Sequence, residues 1–309
     1  AYVKQRFDKT QQPTGDPDCK LGVKRRRNKT SAADQGQETK TFPTPTTDAK
    51  PATNARHEKE AYWGYASGVI VTILPDKLGE VVLAERTRPF NESDLRYFFP
   101  LMERTEQNLG FRPRNGTFDA GFDAFYVYDY FAQAGGIAAV PLVAKGGTAQ
   151  RCFTPDGVPR CKAGLPMGLC FTYADRTSTL VPHERAKYGC PLRNPALDIA
   201  LPCPIDDPRW DTGGCTTTIA TSAGARLRIE LDRTSDDYKA IYKQRTATER
   251  INSQAKEWGI ERPKLRNGQS ITNINTLIYV LINLHTMHRI RDAQSASACQ
   301  EVAPAPTDE

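Results

Sequence analysis

Tyr242-Lys-Gln-Arg245-Thr-Ala-Thr-Glu249-Arg-Ile-Asn-Ser-Gln-Ala-Lys256 is the stretch on which the reading of this chain turns. Ser235, Asp236 and Asp237 stand ahead of it, a side-chain cap and two acids suited to the positive end of a helix. The spacing predicts one helix from Ser235 to Trp258. At about 100° per residue, Ala240, Ala247, Ile251, Ala255 and Trp258 fall on one face, fit for a core. Tyr242, Arg245, Glu249 and Lys256 fall within roughly a 60° arc on the opposite side. A carboxylate there stands in a row with two cations and a phenol. It can ligate a divalent ion while the cations hold phosphate oxygens. The same pattern also describes a solvent face, where Arg245 and Glu249 at i, i+4 contribute only ~0.2–0.5 kcal/mol.

Working outward, Gly259-Ile-Glu-Arg-Pro-Lys-Leu-Arg-Asn267 leads to a last helix expected from about Asn273 to Arg291. Upstream, Gly64–Leu74 and Val81–Arg86 read as a hairpin across Pro75-Asp76-Lys77 and Gly79. Asn91 is expected to cap a helix carrying Leu95, Phe98, Phe99, Met102 and Leu109, kinked or split at Pro100. Gly116–Asp119 reads as a short strand, Phe122–Gln133 as an aromatic-rich helix and Ile137–Ala144 as a buried strand. The fold class is therefore α/β. Residues 1–61 are expected to be an extended N-terminal segment with a basic flexible loop. Residues 62–144 form the first part of the core, 145–234 a Cys-rich insertion, 235–291 the C-terminal helices and 292–309 a disordered tail.

The chain has 309 residues, 39% of them apolar, enough for one large domain or one domain with an insertion. Net charge is +6. Lys20, Lys24, Arg25, Arg26, Arg27 and Lys29 lie together with no acid among them, a run that can neutralise phosphates or form a solvated loop. The apolar stretch from Thr276 to Leu284 is interrupted by Asn283 and too short for a bilayer. Ala1-Tyr-Val-Lys4 carries no export signal. Six of the eight cysteines lie between Cys152 and Cys215, with no CxxC pair. Without export, a metal site or buried thiols fit better than a disulfide framework. Zinc on Cys190, Cys203, Cys215 and a fourth ligand stands against unpaired thiols in a β-rich insertion, with His183 nearby. His285 and His288 read as packing or surface residues, and Trp63, Trp210 and Trp258 as core or insertion anchors.

Tyr242-x2-Arg245-x3-Glu249-x6-Lys256 matches the Tyr-Arg-Glu-Lys signature of bacterial insertion-sequence DDE transposases. Gly259–Asn267 and Asn275–Leu284 resemble the blocks that follow it, and a weaker resemblance runs from about Tyr2 to Ile290. The resemblance implies a ribonuclease H-like mixed sheet flanked by helices, with the Cys-rich β-type insertion ahead of the helix bearing the catalytic Glu. It implies two Asp and one Glu holding two Mg²⁺ or Mn²⁺ ions. Glu249 would be the third acid, and Tyr242, Arg245 and Lys256 would contact DNA phosphate, joined by Arg25 and Arg26 of the basic run. Asp119, ending its strand before Ala120 and Gly121, would be the second acid; Asp123 is the fallback and otherwise a helix cap. The first acid is expected upstream of Ala1, in preference to Asp8, Asp16 or Asp18. The implied activity is DNA strand cleavage and transfer at insertion-sequence ends. It would belong to a cytoplasmic, nucleoid-associated homodimer acting on terminal repeats and target DNA, away from membranes. The alternatives are a catalytically incomplete DNA-binding remnant and a nuclease that only hydrolyses.

Overall fold

Four strands open the chain: β1 (Tyr2–Arg6), β2 (Lys20–Arg25), β3 (Lys59–Ile73) and β4 (Glu80–Pro89). In this computed structural model the protein is mixed α/β, with helices and several small sheets. The structure describes residues 2–6, 10–25, 59–75, 79–142, 152–175, 180–194, 199–205, 210–212 and 214–301. Two compact units divide the chain, and long elements run from one into the other.

The first unit takes in Ala1–Ser67, Thr87–Glu92 and Ala255–Ile278. β1 and β2 flank β3, both antiparallel, and both register on Gly64. Residues expected to be merely extended thus form two strands. Tyr62 stacks on Phe90, with ring centroids 4.3 Å apart. Gly22 makes room for that ring, because a Cβ there would stand 2.1 Å from it. The turn before β2 is organised by Asp16, which is fully buried. Its carboxylate accepts hydrogen bonds from the Tyr65 hydroxyl and the Cys19 N–H. Burial, with the Asp16 carboxylate second, pushes the Cys19 thiol up to about 11. The expected flexible loop lies mostly on residues 26–58, outside the described residues.

The second unit takes in Gly68–Arg86, Ser93–Gln254 and Tyr279–Glu309. β3 and β4 pair as the expected hairpin, and the Leu74 N–H bonds Gly79 O at 2.8 Å. Helix α1 (Leu95–Leu109) is continuous through Pro100, so the stretch forms one helix and not two short ones. Pro100 is the sixth residue of the helix and has no N–H, so the bond to the Arg96 carbonyl is the one the helix forgoes there. Asp94 rather than Asn91 occupies the cap position, and it makes no side-chain cap bond. Strand β5 (Gly116–Thr117), a 3₁₀ turn (Ala120–Phe122), helix α2 (Phe125–Gln133) and strand β6 (Ala138–Ala139) follow. β5 and β6 run parallel, so α2 is the crossover that parallel pairing requires. Phe98 and Met102 of α1 pack with Val127, Tyr130 and Phe131 of α2 and Val140 beyond β6. Each such side chain stabilises the fold by ~1.5–3 kcal/mol on burial.

The insertion holds β7 (Gly168–Asp175), β8 (His183–Gly189), β9 (Arg193–Asn194), β10 (Ile199–Ala200), β11 (Thr217–Ala220) and helix α3 (Ala223–Glu230). β7, β8 and β11 form an antiparallel sheet with β8 central, and β9 pairs with β10. His183 faces Asp175 and the Phe125 ring. Helices α4 (Asp236–Lys243), α5 (Thr246–Glu257) and α6 (Gly268–Glu301) complete the chain. α6 begins earlier and ends later than expected, and it includes residues assigned to a disordered tail. The remainder, 302–309, lies outside the described residues. On α6 the Asn283 amide accepts from Val82 N–H at 2.8 Å and donates to Val82 O at 2.9 Å. Among the described residues no helix is long and apolar enough to cross a membrane.

Candidate active site

The expected single helix from Ser235 to Trp258 is two helices, α4 and α5, meeting at Gln244-Arg245. Ser235 caps α4 as its sequence suggests, accepting from the Tyr238 N–H. At the junction the N–H groups of Gln244, Arg245, Ala247 and Thr248 each bond the carbonyl three residues back, at 3.0–3.1 Å. The Thr246 hydroxyl takes up the Lys243 carbonyl. This is 3₁₀ winding, which turns faster per residue than an α-helix. It shifts the phase, so Tyr238 rather than Ala240 is the buried residue of α4. On α5, Ala247, Ile251 and Ala255 are buried as their period requires. Trp258 lies past the helix end and is 44% exposed, so it is no core anchor.

The tight junction sets the site's geometry. Arg245 Nη2 lies 2.7 Å from Glu249 Oε1, with the Glu249 side chain 58% exposed. The Arg245 guanidinium stands 5.8 Å from the Tyr242 ring, and Tyr242 stacks on Tyr238. Three of the four signature residues are therefore in contact on an open surface. Next to Glu249, Arg250 binds Glu80 of β4 at 2.6 Å and Thr246 Oγ1 at 3.1 Å, which moors this turn of α5 to the hairpin. Lys256 follows on the same helix and pairs with Glu261 at 3.2 Å.

Asp119 stands two residues past the end of β5, and α4 lies against β5 and β6. Its Oδ1 accepts from the Gly121 N–H at 2.9 Å, which fixes the carboxylate at the head of the 3₁₀ turn. Asp94, which the sequence did not single out, comes to the same place. A Cβ on Gly121 would stand 3.0 Å from Asp119 Oδ1 and 3.3 Å from Asp94 Oδ2. Asp94 meets solvent on one side, yet surrounding atoms and, secondly, the Asp119 charge raise its pKa above the ordinary carboxylate value. Its only sequence signal was its position near a helix start, which reads as a cap.

The other candidate acids have structural partners. Asp123 does not cap α2, whose N-cap residue is Ala124; its carboxylate accepts from both Arg228 Nε and Nη2 and from the Tyr128 hydroxyl. Asp16 holds Tyr65 and Cys19, and Asp18 accepts from the Gly268 N–H at the start of α6. Asp8 and Arg26 lie outside the described residues, and Arg25 ends β2 opposite Lys59. Among the described residues, no three His, Cys, Asp or Glu side chains stand together as a metal-holding group. No known protein family, curated protein or solved structure matches the chain.

Proposed function

We propose that this chain is the catalytic part of an insertion-sequence DDE transposase with a ribonuclease H-like core. The reading rests on the α4–α5 junction, where Tyr242, Arg245 and Glu249 are in contact at the signature spacing. The element order is consistent with it: hairpin, helix, short strand followed two residues on by Asp119, helix, parallel strand, insertion, Glu-bearing helix.

The donor set suits hard divalent ions such as Mg²⁺ or Mn²⁺. Asp94 and Asp119 offer carboxylate oxygens that converge on Gly121, and Glu249 offers another that faces solvent. Bound there, such ions would activate a water or 3′-hydroxyl and stabilise the leaving 3′-oxygen. The protein's own groups bind and orient the DNA. Arg245 and Lys256 present cations to phosphate oxygens, with Arg245 steadied by the Tyr242 ring. A phosphate on Arg245 competes with Glu249, so DNA binding frees that carboxylate. Tyr242 need not form a covalent bond to DNA. The partners are the element's terminal repeats and target DNA, bound by a homodimer in the bacterial cytoplasm.

The test uses the full chain, Mg²⁺ and a plasmid carrying the DNA that flanks its reading frame. Strand cleavage and joining are expected, with Glu249→Gln abolishing both and largely sparing DNA binding. Cleavage undiminished by Glu249→Gln sinks the assignment. Binding with no cleavage by the unsubstituted chain supports a DNA-binding remnant instead.

A further inference from the structure

We infer that Cys161, Cys190, Cys203 and Cys215 form a four-thiolate structural zinc site within the insertion. All four line one cavity of ≈ 10 Å³, together with Trp210, and none of them is in a disulfide. That volume admits one ion or a water-sized sphere.

Strand pairing explains how four cysteines far apart in sequence converge. Cys190 leaves the end of β8, and Cys215 precedes β11. β8 and β11 register at Tyr188↔Thr217, so two residues further along, Cys190 stands opposite Cys215. β9 and β10 register at Arg193↔Ala200, and the ladder continues with Leu201 N–H bonding Leu192 O. Carried two residues further, the same register would set Cys203 opposite Cys190. Cys190 is thus the corner shared by two ladders. Cys161 supplies the fourth sulfur from a tight turn closed by Gly164 N–H on Cys161 O, with Gly164 at φ 79°. Gly214 approaches closely too, since a Cβ there would stand 2.8 Å from Cys190 Cβ.

Four sulfurs, with no carboxylate among the described residues lining the cavity, are the donor set of structural zinc, tetrahedral with Zn–S of ~2.3 Å. The thiols line the cavity without closing on one point, so ligation requires the four side chains to draw together around the ion. Lys162 also lines the cavity, a cation beside what would be a doubly negative cluster. The site would tie the Cys161 turn to the ends of both ladders, giving a loop-rich insertion the cross-link that its small core lacks.

The test measures metal in the full chain purified without chelator. One zinc per chain is expected, released when a mercurial reagent titrates the thiols. Co²⁺ exchanged for Zn²⁺ should give the strong d–d bands and sulfur charge-transfer absorption of tetrahedral thiolate cobalt. Cys190→Ser and Cys215→Ser should lose the metal, while Cys152→Ser and Cys170→Ser keep it. Cys203→His retains a donor and should keep zinc with weaker cobalt charge transfer, which separates loss of ligation from loss of folding. A chain with reduced cysteines and no bound zinc, a disulfide at Cys190, or metal loss in the Cys152 variant overturns the assignment. None of these readings depends on Glu249 or on DNA cleavage.

Discussion

Asp123 and Arg228, 105 positions apart, meet in a two-fold hydrogen-bonded ion pair of 2.6 and 2.7 Å, with the carboxylate 1% exposed. Arg233 completes the cluster, donating to the Tyr128 hydroxyl and to the Val140 and Arg228 carbonyls. The pair joins the turn before α2 to α3, across most of the insertion. Arg228→Ala would leave a buried carboxylate without its cation, a change that costs about 3–5 kcal/mol. Because Arg228 keeps some solvent contact, the lower end is expected. Urea unfolding measures it, and the double variant Asp123→Leu/Arg228→Met should recover most of the loss.

The convergence of Asp94 and Asp119 has a pH signature. Asp94 has a folded pKa raised above its ordinary 3.8, so its contribution favours the protonated form. That stability is present below the ordinary carboxylate value and is lost as pH rises through the raised one. Asp94→Asn should therefore raise Tm at neutral pH and leave it unchanged in strong acid. Added Mg²⁺ should stabilise the unsubstituted chain more than the variant. A variant of lower Tm at neutral pH would show that the carboxylate has a structural partner instead.

Arg245 pairs with Glu249, and on the proposed reading a DNA phosphate would compete for it. Arg245→Ala should weaken DNA binding and reduce the slope of log K against log salt by about one. Its effect on folding should be small, since an exposed i, i+4 pair contributes only ~0.3–0.5 kcal/mol. Binding titrations at several salt concentrations decide it; an unaltered slope would make Arg245 a helix partner alone.

The buried Asp16 carboxylate depends on its donors. Tyr65→Phe removes a hydrogen bond to a charged group and should cost about 1.5–3 kcal/mol in denaturant unfolding. Cys19, with its thiol pushed up to about 11, should resist disulfide reagents at pH 8 until the chain unfolds. Equal labelling rates for Cys19 and exposed Cys152 would contradict the burial that raises it.

Much of this was legible in the sequence where one period or one turn signal decides. The hairpin followed from Gly79 after a β-type run, and the burial of Ala247, Ile251 and Ala255 from their spacing. The break at Gln244-Arg245 was not legible, because both residues suit a helix and only hydrogen bonds to the third carbonyl back reveal the tighter winding. Asp123 resembled a cap because its partner lies 105 positions away. The Asp94–Asp119 approach and the gathering of Cys161 with Cys190, Cys203 and Cys215 depend on tertiary placement, which no local pattern encodes.

Asn283, which interrupts the most apolar stretch of the chain, bonds both the N–H and the carbonyl of Val82. A neighbouring strand would use that same pair of groups to extend the sheet. The side-chain amide satisfies them from a helix, which has no further ladder to offer. At this point β4 is closed to recruitment by another chain, and one amide guards against edge-to-edge aggregation.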